Sequence, residues 1–155
     1  MESGVFEKAN FRIAGDCGLL VEYGDAIDPA VNQKVRSMAI VLQNHMPGGV
    51  IEIIPSYRSI LIYYNPLTTN PSILKETLTD LESSLSEIEI PPPKVVEIPV
   101  CYGGEYGPDI DHVAQSHNLT LQEVIDLHSE PEYLIYMVGF TPGFPFLGGL
   151  PEVLH

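Results

Sequence analysis

The chain has 155 residues, 45% of them apolar and 18% charged, with 21 acidic residues against 7 basic ones and a formal net charge of -14. That length supports a real core in one domain or two small ones, and the composition is globular, not disordered. The acidic excess argues against binding a nucleic-acid backbone or an anionic membrane surface, and no apolar run reaches the roughly 20 residues that span a bilayer. The start, MESGVFEKANF, has neither the basic opening nor the apolar core of a signal peptide. Cys17 and Cys101 are far apart and form no CxxC pair. A cytoplasmic protein with reduced thiols is the expectation.

Phe11 to Ile13 and Leu19 to Tyr23 read as short strands around a Gly15-Asp16-Cys17-Gly18 turn. Asp28 then offers an N-cap and Pro29 suits the first helical position. Val31, Val35, Met38, Ala39 and Leu42 follow at helical spacing, and Pro47-Gly48-Gly49 stops the helix. Val50 to Ile54 and Ile60 to Tyr64, rich in β-branched and aromatic residues, form a hairpin across Pro55 to Ser59. Asn70-Pro71 repeats the cap, and Leu74, Leu78, Leu81 and Leu85 mark a second amphipathic helix. The order is ββαββα, an α+β domain over residues 1–90 whose antiparallel sheet carries both helices on one face.

Pro91-Pro92-Pro93 makes a stiff, extended connector, and a linker is placed at 91–94. Residues 95–155 form the second domain. Val95 to Cys101 reads as a strand, with Pro99 confining it to an edge or a bulge. Gly103-Gly104 and Gly107-Pro108 bracket a turn, and a short helix covers Asp109 to Ser116. Thr120 and Glu123 form a capping box ahead of Val124, Ile125 and Leu127. That helix ends by Pro131, and a strand from Tyr133 to Val138 follows.

Tyr136 to Pro151, YMVGFTPGFPFLGGLP, is the most unusual stretch, with four glycines, three prolines and three phenylalanines. Proline fixes φ and removes a donor, and glycine supplies turns that a side chain forbids. The stretch reads as a rigid apolar loop, with Phe144-Pro145 a candidate cis peptide. Either Phe140, Phe144 and Phe146 plug a core, or the loop binds something. The candidate binding residues are Tyr136, Gly139, Phe140, Pro142, Gly143, Phe144, Pro145, Phe146, Leu147, Gly148 and Gly149.

The titratable residues give no catalytic pattern. None of His45, His112, His117, His128 and His155 sits in HExxH, and the five-residue gap between His112 and His117 does not align two ligands on one helix face, so no metal is expected. Cys101 in CYGG has no base beside it in sequence, and a buried structural role is the expectation; Cys17 is weaker still. Asp16 suits a local turn bond. Glu105, Asp109 and Asp111 read as a solvated loop without EF-hand spacing. Arg58 either pairs with a carboxylate on a ligand or partner or is simply solvated, and solvation is the commoner fate of a turn arginine. There is no GxxxxGK[ST] phosphate loop. No catalytic residue is assigned.

The run GFTPGFPFLGGLP resembles the signature of the family that contains the B subunit of bacterial 5-oxoprolinase and the KipI sensor-kinase inhibitor, also labelled allophanate hydrolase subunit 1. GDCGLLVEYGDAIDP, PSYRSILIYY, VEIPVCYGGEYGPD and LTLQEVIDLHS agree in order, so the resemblance covers nearly the whole chain. It implies that residues 95–155 begin a cyclophilin-like β-barrel, left incomplete because family members continue past GGLP. It also implies a component that works with 5-oxoprolinase subunits A and C to hydrolyse 5-oxoproline to glutamate with ATP, this chain alone holding no cofactor. The alternative it implies is a KipI-like protein docking on a sensor histidine kinase.

Overall fold

The computed structural model describes residues 4–83, 85 and 88–155. The first four strands and two helices follow the ββαββα order: β1 (Val5–Ile13), β2 (Gly18–Gly24), α1 (Pro29–Asn44), β3 (Val50–Pro55), β4 (Ser59–Tyr64) and α2 (Pro71–Glu82). The strands make one antiparallel sheet in the order β1-β2-β4-β3. Both helices start where the sequence places them. Asp28 accepts from the Ala30 and Val31 amides and Asn70 from those of Ser72 and Ile73, with proline following each cap. Each cap satisfies amides that the first helical turn leaves without partners.

Period-two alternation decides which face is covered. Leu19, Val21 and Tyr23 on β2 and Ile60, Ile62 and Tyr64 on β4 are all buried on one face. Leu19 lies opposite Ile62 and Val21 opposite Ile60 in the register. Val31, Val35, Met38 and Leu42 from α1 join them in one cluster with Leu74, Leu78 and Leu85. Both helical stripes thus cover the same side of the sheet, and Leu81 packs at its margin.

Tyr23 is the exception in this core. It is fully buried, and its hydroxyl has no hydrogen-bond partner among the described residues. Burial first, and the Glu82 carboxylate second, push its ionisation well above the ordinary phenol range. A buried orphan hydroxyl costs about 1–3 kcal/mol of desolvation with no return. Tyr23→Phe is therefore expected to leave stability unchanged or raise it by about 1 kcal/mol. Urea unfolding checks this, and a comparable loss would show that the hydroxyl is paired.

The later elements are α3 (Ile110–His117), α4 (Leu121–Ser129), β5 (Leu134–Val138) and β6 (Pro145–Gly148), with single 3-10 turns at Gly104–Tyr106 and Glu152–Leu154. The Thr120–Glu123 capping box forms in full at the start of α4. Its hydrogen bonds from the Thr120 amide and hydroxyl hold the Glu123 carboxyl below its ordinary range. β5 and β6 form a separate two-stranded sheet.

By contacts the chain forms two units, Met1–Pro91 with Tyr136–Pro145, and Pro92–Ile135 with Phe146–His155. The first holds the core just described. The second has a small interior, with Ala114 of α3 and Val124 of α4 its buried apolar residues among those described.

Three expectations need correction. Val95 to Cys101 forms no strand, and Val95, Val96, Ile98 and Val100 are exposed. β-propensity yields a strand only where a partner supplies the other half of each hydrogen bond, and Pro99 donates none. The region read as pure loop contains β6, which opens on Pro145 at the first position of an edge strand, where no amide is required. The Phe144-Pro145 bond is trans, as are the other described peptide bonds.

The exposed run 91–101 pairs with no strand among the described residues. Limited proteolysis is expected to cut there first and leave β1 to α2 intact. Equal cutting within β4 at the same protease dose would contradict this.

Candidate functional site

β5 delivers the chain to a tight loop over residues 139–144. The Gly139 amide donates to the Phe144 carbonyl at 3.1 Å, Thr141 to Gly139 at 2.8 Å, and Phe144 to Thr141 at 3.1 Å. Gly143 has φ +79°, which glycine adopts freely. Phe140 has φ +66°, which a bulky side chain adopts only under constraint. Its side chain is 91% exposed, and its ring meets that of Phe144 edge to face at 6.2 Å between centroids. Of the two roles open to these aromatics, filling a core is not what Phe140 or Phe144 does; both are exposed.

The other candidate binding residues divide. Pro142 and Gly143 are exposed beside the two rings, while Tyr136, Gly139 and Pro145 are half-buried. These belong with the first unit, whereas Phe146, Leu147, Gly148 and Gly149 belong with the second. Phe146 and Gly148 are half-buried there, and Leu147 and Gly149 are exposed.

Within the first unit the segment meets the β3–β4 turn. The Tyr57 and Tyr136 rings lie 5.2 Å apart at 36°, and the Ser56 hydroxyl reaches the Met137 sulfur at 3.5 Å. Burial, then the charge of Asp28, then Tyr57 raise the Tyr136 phenol above its ordinary range. Asn32 of α1 is 2% exposed and donates from Nδ2 to the carbonyls of Tyr57 at 3.0 Å, Ser56 at 3.4 Å and Tyr136 at 3.4 Å. Sequence reading passes over Asn32. The one signal it carries is an amide sitting next to Val31 in the apolar stripe.

Arg58 is not a merely solvated turn residue. It donates to the Gly24 carbonyl at 3.0 Å and lies 3.8 Å from Glu22, which also pairs with Arg12 at 3.2 Å. The Asp16 contact is made by its backbone, whose carbonyl accepts from the Tyr64 hydroxyl.

The second unit holds a mainly apolar cavity of about 400 Å³ lined by Tyr102, Tyr106, Ile110, Val113, Val124 and His128 among others. The Tyr102 hydroxyl lies 2.5 Å from His128 Nδ1, and the Tyr133 hydroxyl donates to the His128 carbonyl at 2.9 Å. Burial, with Tyr133 second, raises the Tyr102 phenol. Cys101 borders this cavity and is exposed, which corrects the buried structural role expected of it. Burial would have needed the strand that does not form. Among the described residues, no group of three or more His, Cys, Asp or Glu is placed to hold a metal, and no helix is long and apolar enough to cross a membrane.

The chain is mixed α/β, with an antiparallel sheet under two helices followed by a helical pair and a two-stranded sheet. Residues 9–155 match the carboxyltransferase domain, subdomain C and D, and the chain belongs to that family. It is 38% identical over 149 residues to the 5-oxoprolinase B subunit of Bacillus subtilis (strain 168), a match covering 89% of this chain and 62% of that protein. Identity to the 5-oxoprolinase B subunit of Escherichia coli O157:H7 is 34% over 152 residues, covering 96% of this chain and 67% of that one. The chain thus spans about two thirds or less of these relatives. The solved structure of TTHA0988 is 32% identical with a TM-score of 0.73, covering 88% of this chain and 26% of that one. Kluyveromyces lactis urea carboxylase, 18% identical with a TM-score of 0.61, shares the fold over 92% of this chain and 15% of its own.

Proposed function

We propose that this chain is part of the B subunit of an ATP-dependent 5-oxoprolinase, which converts 5-oxoproline to glutamate in the cytoplasm together with subunits A and C. The observation that carries the reading is the 38% identity over 149 residues to the Bacillus subtilis protein of that name. In this reading the chain holds no ATP itself, and no residue of it is assigned a catalytic role. Its contribution is a contact surface centred on Phe140 and Phe144, because exposed aromatic anchors supply most of the energy at protein interfaces. Residues 95–155 are proposed to begin a cyclophilin-like barrel whose remaining strands lie in the part of the relatives that this chain does not span.

The test is reconstitution. The longest natural form of the protein is co-expressed with subunits A and C, and ATP-dependent glutamate release from 5-oxoproline is measured beside co-purification. Activity only with all three subunits supports the reading. No glutamate from the full set, together with inhibition of a sensor histidine kinase, would replace it with the inhibitor reading. Turnover abolished by Cys101→Ser while assembly persists would give that thiol a catalytic role and overturn the non-catalytic one.

A further inference from the structure

We propose that Asn32 is the positioning residue of the segment Tyr136–Pro145, holding the Phe140–Phe144 loop in one arrangement. The inference rests on the contact-surface reading for its use, but its geometry stands by itself. Asn32 lies near the start of α1, and its backbone N–H donates to the Asp28 carbonyl at 3.0 Å, so the helix fixes its main chain. From there the two N–H bonds of the side-chain amide are shared among three carbonyls on two segments, Ser56 and Tyr57 in the β3–β4 turn and Tyr136 in β5. Its separation from Tyr136 is 104 residues in sequence.

A carbonyl brought close to two others repels them unless a donor lies between, and Asn32 is that donor. Only an amide or a comparable planar donor of this length serves. Aspartate has the same shape but, ionised, only accepts; leucine has the same branching at Cγ with bulkier methyl groups and neither donates nor accepts. The Tyr57–Tyr136 ring contact and the Ser56–Met137 bond lie beside this junction and depend on the same approach. The loop beyond it is closed by its own short hydrogen bonds, so once Tyr136 is held, the orientation of Phe140 follows.

The experiment measures amide exchange by NMR in the full chain for Asn32→Asp and Asn32→Leu, with strands β2 and β4 as the internal reference. Protection at Gly139, Thr141 and Phe144 is expected to fall about tenfold or more relative to Leu19–Tyr23 and Ile60–Tyr64, which is the loss of one or two buried hydrogen bonds. Nuclear Overhauser contacts between the Tyr57 and Tyr136 rings should vanish together with that protection. If Asn32→Asp does not fold, Asn32→Leu, which buries no charge, decides the matter. Loop and strand protection falling equally, or ring contacts persisting in Asn32→Leu, would overturn the proposal. Co-purification with subunits A and C is then measured on the same variants. Loosening of the loop with no change in capture would keep Asn32 as the positioning residue and remove the contact-surface reading.

Discussion

On the proposed B-subunit reading, Phe140→Ala is expected to weaken capture by subunits A and C by about 2 kcal/mol, roughly thirtyfold, without lowering the stability of the chain. The two halves of that expectation have separate causes. The side chain is 91% exposed, so its removal takes little from the fold beyond an edge contact with Phe144. At an interface the same ring would become buried, and truncating a central aromatic anchor there commonly costs about 2 kcal/mol or more. Phe140→Gly sharpens the test. Residue 140 has φ +66°, where an L side chain meets the following carbonyl at a penalty of about 1–2 kcal/mol. Glycine removes that penalty, so Phe140→Gly should melt higher while binding at least as poorly as the alanine variant. Stability and capture moving in opposite directions separates a strained contact residue from one that packs. Phe146 is less suited to this test because it is half-buried, and its truncation would mix folding with binding. Unchanged co-purification of both Phe140 variants would place the contact surface elsewhere.

The features legible in the sequence are those whose causes lie within a few residues. Asp28-Pro29, Asn70-Pro71 and Thr120 with Glu123 each state a helix start through side chains that reach amides two or three positions ahead, and all three caps form. The stripes at 31, 35, 38 and 42 and at 74 and 78 become the buried faces because helical geometry alone aligns them. Val95 to Cys101 has strand composition too, yet a strand is a property of two segments, and composition describes one. Cys101 follows it into solvent. Asn32 shows the opposite failure. An amide on an apolar stripe is visible in sequence, but its acceptors at 56, 57 and 136 are brought to it only by the fold. Phe140 stands out in sequence for its setting among glycines and prolines, whereas its positive φ and its exposure are consequences of how the loop closes.

Ile62→Ala and Val100→Ala form a pair that tests where the stability of the chain resides. Both truncate a β-branched residue in an apolar run, and sequence alone ranks them alike. Ile62 is fully buried in the central strand β4, opposite Leu19 and within the cluster that contains both helical stripes. Truncation there leaves a cavity that rigid neighbours on a sheet and two helices cannot close, and about 2–5 kcal/mol should be lost. That is a large share of the roughly 5–15 kcal/mol by which a domain of ordinary stability stays folded. Val100 is 53% exposed in a segment without strand pairing, so its truncation should stay within about 0.5 kcal/mol. Urea unfolding followed by far-ultraviolet circular dichroism gives both values under one condition. Equal losses would mean that residues 95–101 bury their side chains against something in solution.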